Sequence, residues 1–203
     1  MAKNSSEIAS AKSKSILSYS FAHKATLRFF LHVIAGVAML CLSANLEVPM
    51  QPVPFTLQIL ALAFIVATFS VGEATSAAAS YVVIGAFGLP VFSGAMGGLS
   101  RLVGSTGGFI LGFIAAAAVG SWLRTHLERT RMPWAAACLV SLVVSIMVVY
   151  VCGWAHLMVV SHLSPAAAFA AGVAPFIVLD FMKAGIATCL TAAGKLALKK
   201  DAD

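Results

Sequence analysis

The sequence predicts an all-α integral membrane protein with six transmembrane helices. Hydrophobic residues make up 61% of its 203 residues and charged residues only 10%, whereas soluble domains carry about 25% charged residues. The apolar residues fall in runs close to the roughly 20 residues that a membrane-spanning helix needs. At this length the spans are expected to form one compact domain.

Six apolar segments are predicted to span the membrane. In chain order they cover residues 29–46, 55–71, 74–87, 107–123, 134–157 and 175–196. The last is predicted to begin near Pro175, since proline is tolerated in the first turn of a helix. The stretch from Pro165 before it is predicted to be a loop or a short helix. Residues 1–28 and 197–203 are expected to be polar tails.

Positive charges predict the orientation, because Lys and Arg favour the cytoplasmic side. Of thirteen such residues, only Arg101 falls on the other side and Lys183 within a span, which leaves eleven on one side. Both termini are therefore expected to be cytoplasmic in a multi-pass protein of the cytoplasmic (inner) membrane. The same distribution, in short segments between apolar runs, argues against nucleic-acid binding despite a net charge of +6.

The four cysteines are predicted to be small core hydrophobes. They are Cys41, Cys138, Cys152 and Cys189. All lie in or beside apolar spans, without the CxxC or Cys/His spacing of a metal site or an evident disulfide framework. No metal and no cofactor are expected.

Asp180 and Lys183 carry the strongest functional signal. They are three residues apart in the last span, so they share one face of a helix. Charges inside the membrane are costly, and they usually face each other or a polar cavity. The pair therefore predicts a binding or transport site; an ion pair within the helix that serves only structure is the alternative.

A proline-rich loop at residues 47–55 is predicted to gate this site from the outer side. Pro49, Pro52 and Pro54 exclude a regular helix and stiffen the chain. Gln51 lies among them and offers a neutral hydrogen-bonding group.

A glycine-rich loop at residues 88–107 is predicted to complete the site. A long loop without regular structure in so small a protein is usually functional. Gly97 and Gly98 would let the backbone close over a ligand. Arg101 enters from the same outer side as the two charges of the last span, so one anion and two cations can converge on one pocket. A solvated loop arginine is the alternative.

Several motifs in a fixed order carry a family resemblance. They read Pro-Val-Pro-Phe-Thr-Leu-Gln at 52–58, Gly-Ala-Phe-Gly-Leu-Pro-Val-Phe-Ser-Gly at 85–94, Gly-Gly-Leu at 97–99, Gly-Ser-Thr-Gly-Gly-Phe-Ile-Leu-Gly-Phe at 104–113 and Asp-Phe-Met-Lys-Ala at 180–184. Together they resemble BioY, the biotin-specific S component of energy-coupling factor (ECF) vitamin transporters. The resemblance spans roughly residues 49–194. It implies the six-helix S-component fold, an outward-facing biotin site, and partners comprising a membrane coupling subunit and two ATPase subunits.

The charged residues suit biotin as the transported substrate. Its ureido ring offers two N–H donors and one carbonyl acceptor, while an ionised Asp only accepts and a Lys only donates. Asp180 would take the ureido N–H groups, Lys183 the ureido oxygen and Arg101 the valerate carboxylate. The roles of the two cations could be reversed.

Three aromatic residues are candidates to pack the thiophane ring and the aliphatic tail. They are Phe87, Phe92 and Trp154. Ordinary helix packing or contact with lipid is the alternative for each.

The first span departs from the family pattern. S components commonly dock on their coupling subunit through alanines spaced four apart in this helix. Here Ala35 and Ala38 are three apart, and Met39 and Leu42 occupy the positions expected for their partners. The docking motif is therefore not intact, and a solitary carrier is an alternative to a component of an ECF complex.

Two other function classes compete with a biotin carrier. An ion-coupled transporter of another small solute would use Asp180 as a proton or sodium site. An intramembrane hydrolase would pair Ser105 with His156 or His162, but the Gly-x-Ser-Gly element of rhomboid-type enzymes is missing. The sequence favours a carrier over an enzyme.

Overall fold

A computed structural model describes residues 24–200, apart from the side chain of Lys200. The elements in chain order are α1 Lys24–Ala44, β1 Glu47–Val48, β2 Phe55–Thr56, α2 Gln58–Thr68, α3 Val71–Ala86, α4 Leu99–Val103, α5 Gly107–Leu127, α6 Trp134–Val160, α7 Pro165–Gly172 and α8 Ile177–Lys200. Residues 1–23 and 201–203 of the predicted tails lie outside the described residues. The remaining tail positions, 24–28 and 197–200, are helical.

The described chain is essentially all helical, as the sequence predicts. Four helices are long and apolar enough to cross a membrane: α1, α5, α6 and α8. Helices α2 and α3 have 11 and 16 residues, below the roughly 20 that a straight span needs. Each of the six predicted segments overlaps one of these helices, with ends shifted by a few residues.

The proline-rich loop forms a small hairpin. Glu47 pairs with Thr56 and Val48 with Phe55 in an antiparallel register. The ladder stops there because each proline between the strands lacks the N–H that a further rung requires. The hairpin therefore fixes both ends of the segment predicted to gate the site.

The glycine-rich loop is more ordered than its composition predicts. Phe92 and Met96 exchange two backbone hydrogen bonds across a tight turn, in which Gly94 has a φ of +72°. The short helix α4 follows and carries Arg101. The loop is therefore a folded unit with a defined place for this arginine.

Small residues bring α5 and α6 close together. A Cβ atom at Gly108 would collide with the Cys152 carbonyl oxygen and the His156 side chain, and one at Gly153 would collide with the Phe109 ring. Glycine at such positions lets helix backbones approach closely. This contact sets the spacing of the wall against which the other helices pack.

A two-residue connection and a buried arginine close the opposite end of the bundle. Ser70 and Glu73 form a capping box at the start of α3.

Arg124 directly follows the predicted fourth span, but it lies in α5 and is only 8% exposed. Its Nε and Nη2 atoms donate to the carbonyls of Val66 and Phe69, at 2.8 and 2.7 Å. It thereby satisfies carbonyls that the end of α2 leaves without partners in the helix.

Replacing Arg124 should destabilise the bundle. In Arg124→Met, two buried carbonyls lose their donors, and we expect the free energy of unfolding to fall by about 1–3 kcal/mol. Denaturant titration of the purified protein in mixed micelles measures the change. Arg129→Met is the matched control, since Arg129 is exposed at the same end. Equal stability of the two variants would contradict the bracing role of Arg124.

Candidate functional site

A cavity lies at the hairpin end of the bundle, bounded by the hairpin, the glycine-rich loop and four helices. The space between its walls amounts to about 680 Å³, including the part open to solvent. The wall is formed by Val53, Pro54, Phe55, Thr56, Gln58, Ile59, Phe92, Ser93, Arg101, Thr106, Phe109, Ile110, Phe113, Val149, Tyr150, Phe176, Asp180 and Lys183. Most of these side chains are apolar, and a few polar groups converge among them.

Asp180 and Lys183 form a buried ion pair in this wall. Their exposed fractions are 3% and 6%, and Lys183 Nζ lies 2.7 Å from Asp180 Oδ1. Both belong to the first two turns of α8, where their spacing of three residues puts them on one face. A buried pair of this kind is tolerated only if its remaining polar atoms are also satisfied.

Residues from other elements provide hydrogen-bond partners for these remaining polar atoms. The Tyr150 hydroxyl, from α6, donates to Asp180 Oδ2 at 2.7 Å. Lys183 Nζ donates to the Thr56 carbonyl of the hairpin at 2.8 Å, and it lies 4.0 Å from the centre of the Phe55 ring. The lysine keeps one further N–H donor, and the carboxylate keeps lone pairs beyond the two in use.

Arg101 approaches the cavity from the glycine-rich loop. Its Nη2 donates to the Ser93 carbonyl over 3.4 Å, a long hydrogen bond. Its Nε is buried and makes no hydrogen bond to any residue that the structure describes. The guanidinium is therefore a half-buried cation with donors left for an anionic group.

Aromatic rings form much of the apolar wall. Phe92 is 1% exposed and packs edge-on against Tyr81, with 5.4 Å between ring centres. Phe55 and Phe176 lie parallel at 6.3 Å. The cavity thus combines aromatic surface with the charged pair of α8.

Comparison with known sequences identifies the family. The model of the BioY family matches residues 14–200, which is nearly the whole chain. This chain belongs to the BioY family.

Curated members of the BioY family cover most of the chain. The biotin transporter BioY of Thermotoga maritima is 34% identical over 82% of this chain and 94% of its own length. The probable biotin transporter BioY of Pyrococcus horikoshii is 33% identical over 76% of this chain and 88% of its own.

A solved structure shows the same fold. The crystal structure of the S-component for biotin from an ECF-type ABC transporter superposes with a TM-score of 0.76. The alignment covers 82% of this chain and 90% of that one, at 18% identity.

The structure brings some of the predicted site residues of this BioY-family chain together and leaves others outside the cavity. Asp180, Lys183, Arg101, Phe92 and Pro54 belong to the wall. The predicted site residues outside it are Gly97, Gly98, Phe87, Trp154, Pro49, Gln51 and Pro52.

The two aromatic residues outside the wall have other surroundings. Phe87 is 84% exposed at the end of α3. The Trp154 indole N–H donates to the Pro165 carbonyl at the start of α7. Neither ring contributes to the cavity surface.

Gly97 and Gly98 shape the loop instead. A Cβ atom at Gly97 would collide with the Leu89 carbonyl, and Gly98 adopts a φ of +94° just before α4. Pro52 acts through its backbone, since its carbonyl accepts a hydrogen bond from Ser105 Oγ at 2.8 Å.

The polar residues considered for other roles have separate partners. Ser105 bonds to Pro52, whereas His156 Nε2 lies 3.0 Å from the Gly104 carbonyl. Gln58 donates to the Tyr81 hydroxyl at 2.7 Å, across α2 and α3. No hydrogen bond between Ser105 and His156 is found among the described residues.

The site residues that the sequence analysis does not predict include Tyr150, Thr56, Phe55 and Phe176. Tyr150 makes the closest contact with the ion pair. It is a single tyrosine in an apolar helix of 27 residues, and such a residue is often at a membrane interface. Its spacing gave no sign that it would meet Asp180.

The ion pair should show strong coupling in a double-mutant cycle. Asp180→Asn or Lys183→Met alone leaves an uncompensated buried charge, and we expect each to cost about 3–5 kcal/mol of stability. The double variant should cost no more than either single change. Denaturant titration in mixed micelles measures all four proteins, and additive losses would show that the two charges act independently.

Proposed function

We propose that this protein binds biotin from the outer side and mediates its uptake across the cytoplasmic membrane. The observation that carries the proposal is the buried pair of Asp180 and Lys183 in an apolar cavity of a BioY-family chain. Relatives named as biotin transporters, and an S-component fold solved for a biotin-specific protein, support the same substrate. The protein acts as a carrier and makes or breaks no covalent bond.

The ion pair matches the ureido ring. Asp180 retains lone pairs for the two ureido N–H donors, and Lys183 retains one donor for the ureido carbonyl. Tyr150 and Thr56 hold the two side chains in place before the ligand arrives. A preorganised site of this kind avoids ordering costs when it binds.

Arg101 matches the carboxylate at the other end of biotin. It lies in the loop that borders the cavity. Its Nε has no hydrogen-bond partner within residues 24–200, and its spare donors suit a carboxylate. The rings of Phe55, Phe92 and Phe176 supply the apolar surface for the thiophane ring and the tail.

The hairpin is proposed as the gate of the outer entrance. Pro54 and Phe55 belong to the cavity wall, so displacement of the hairpin would open it. Pro49, Gln51 and Pro52 form the rest of this gate and touch the ligand less directly than Pro54.

Both termini are proposed to be cytoplasmic, after six membrane passages. Helices α2 and α3 count as passages because each runs between the hairpin end and the end braced by Arg124. The hairpin end then faces outward, and the Lys- and Arg-rich segments face the cytoplasm.

The energising partners are proposed to be a membrane coupling subunit and two ATPase subunits. Ala35, Ala38 and Leu42 are exposed on α1 and lie at successive turns of one face. Small residues on such a face allow close helix approach, although the alanine motif of the family is not intact here. A solitary carrier would not need this face.

Removing either member of the ion pair should abolish tight biotin binding. We expect Asp180→Asn and Lys183→Met each to weaken binding by about tenfold or more, since the ligand then meets an unpaired buried group. Isothermal titration calorimetry with purified protein measures the dissociation constants. Lys199→Met, at an exposed lysine of the same helix, is the control. Wild-type affinity in both site variants would refute the assigned roles.

A bulky residue on α1 should distinguish a component of an ECF complex from a solitary carrier. For a component of an ECF complex, we expect Ala38→Trp to reduce cellular biotin uptake by about tenfold while binding by purified protein is unchanged, since only helix docking is blocked. Leu190→Trp, on the exposed face of α8, is the control. Full uptake by Ala38→Trp would favour the solitary carrier.

A further inference from the structure

Arg101 and Glu47 both approach Gly94 of the glycine-rich loop. A Cβ atom built at Gly94 would lie 3.7 Å from Arg101 Nη2 and 3.6 Å from Glu47 Oε1. Both side chains are half-buried. Nevertheless, no ion pair joins Arg101 to a carboxylate among the residues that the structure describes.

Ser93 is hydrogen-bonded to both charged side chains. Its hydroxyl donates to Glu47 Oε2, and its carbonyl accepts the long bond from Arg101 Nη2. The carboxylate is thus engaged by a neutral hydroxyl, although a guanidinium that would bind it more strongly is close by.

Backbone hydrogen bonds fix the positions of both Ser93 and Glu47. Phe92 is buried and bonded twice to Met96, which fixes the position of the next residue, Ser93. Glu47 pairs with Thr56 in the hairpin. The hydroxyl and the carboxylate therefore face each other across the entrance without depending on a flexible segment.

We propose that the Ser93 hydroxyl restrains Glu47 from neutralising Arg101, and that this arrangement selects ligands with an anionic tail. The inference rests on the proposed function, in which Arg101 meets the biotin carboxylate. A released Glu47 would compete with that carboxylate for the guanidinium. A ligand with a neutral tail would lose less, because its affinity depends less on the free charge of Arg101.

Glu47 and Ser93 are therefore positioning residues that set specificity and need not touch the ligand. This differs from a purely structural role in one measurable way. A structural disturbance of the entrance would lower the affinity for all ligands equally. Release of Glu47 would instead change the preference between two ligands of the same shape and different charge.

The test compares biotin with biotinamide, whose tail is neutral, by calorimetry on the purified full chain. In Ser93→Ala we expect the preference for biotin over biotinamide to fall by about fivefold, the scale of a partly exposed ion pair. In Ser93→Ala with Glu47→Gln the preference should return to the wild-type value, because no carboxylate remains to compete. Ser93→Thr keeps a hydroxyl and should keep the preference.

The same calorimetric comparison on Glu47→Gln alone is a second test, and it does not require the serine variant to fold. Removal of a negative charge near Arg101 should hold or raise the preference for biotin. Equal weakening of both ligands by Ser93→Ala, no recovery in the double variant, or a lower preference in Glu47→Gln would each overturn the inference. If wild-type protein bound neither ligand, the proposed function itself would fail, and this inference with it.

Discussion

The buried salt bridge between Asp180 and Lys183 is the constraint on which the hairpin end of this protein depends. Two opposite charges removed from water are stable only with close mutual contact and further hydrogen bonds. The structure meets that requirement with Tyr150 from α6 and the Thr56 carbonyl from the hairpin. Three parts of the chain that are far apart in sequence are thereby fixed around one cavity.

Buried and half-buried cations among the described residues fall into two kinds. Arg124 has a partner at each of its three nitrogens, two backbone carbonyls and Glu128. It lies outside the cavity wall and serves the packing of α2. Lys183 and Arg101 line the cavity and retain donors. Free donors at the cavity wall, more than burial or charge, set the two proposed binding residues apart from the brace.

Much of the architecture was predictable because strong physical costs mark it in the sequence. Apolar runs locate the helices, and two charges inside an apolar run single out α8. Proline and glycine clusters locate the two loops at the cavity entrance. The hairpin pairing and helix α4 were not predicted, since each involves only a few residues and depends on tertiary contacts.

Side-chain partners were harder to predict than the elements that carry them. The predicted fourth span, residues 107–123, stops before Arg124, because an arginine after an apolar span usually marks the membrane boundary. The two carbonyls to which Arg124 donates lie more than fifty positions away in the sequence. Tyr150 and Asp180, or Ser93 and Glu47, are likewise separated by thirty or more residues. No local sequence pattern predicts side-chain contacts between residues so far apart in the chain.

The hydrogen bond from Lys183 to the Thr56 carbonyl connects the hairpin directly to α8. Two acceptors hold the ammonium group and set the direction of its third N–H bond, and one of these acceptors belongs to the hairpin. A displacement of the hairpin would break this hydrogen bond and free the ammonium group to rotate. The direction of its remaining N–H bond therefore depends on a carbonyl 127 positions away in the sequence.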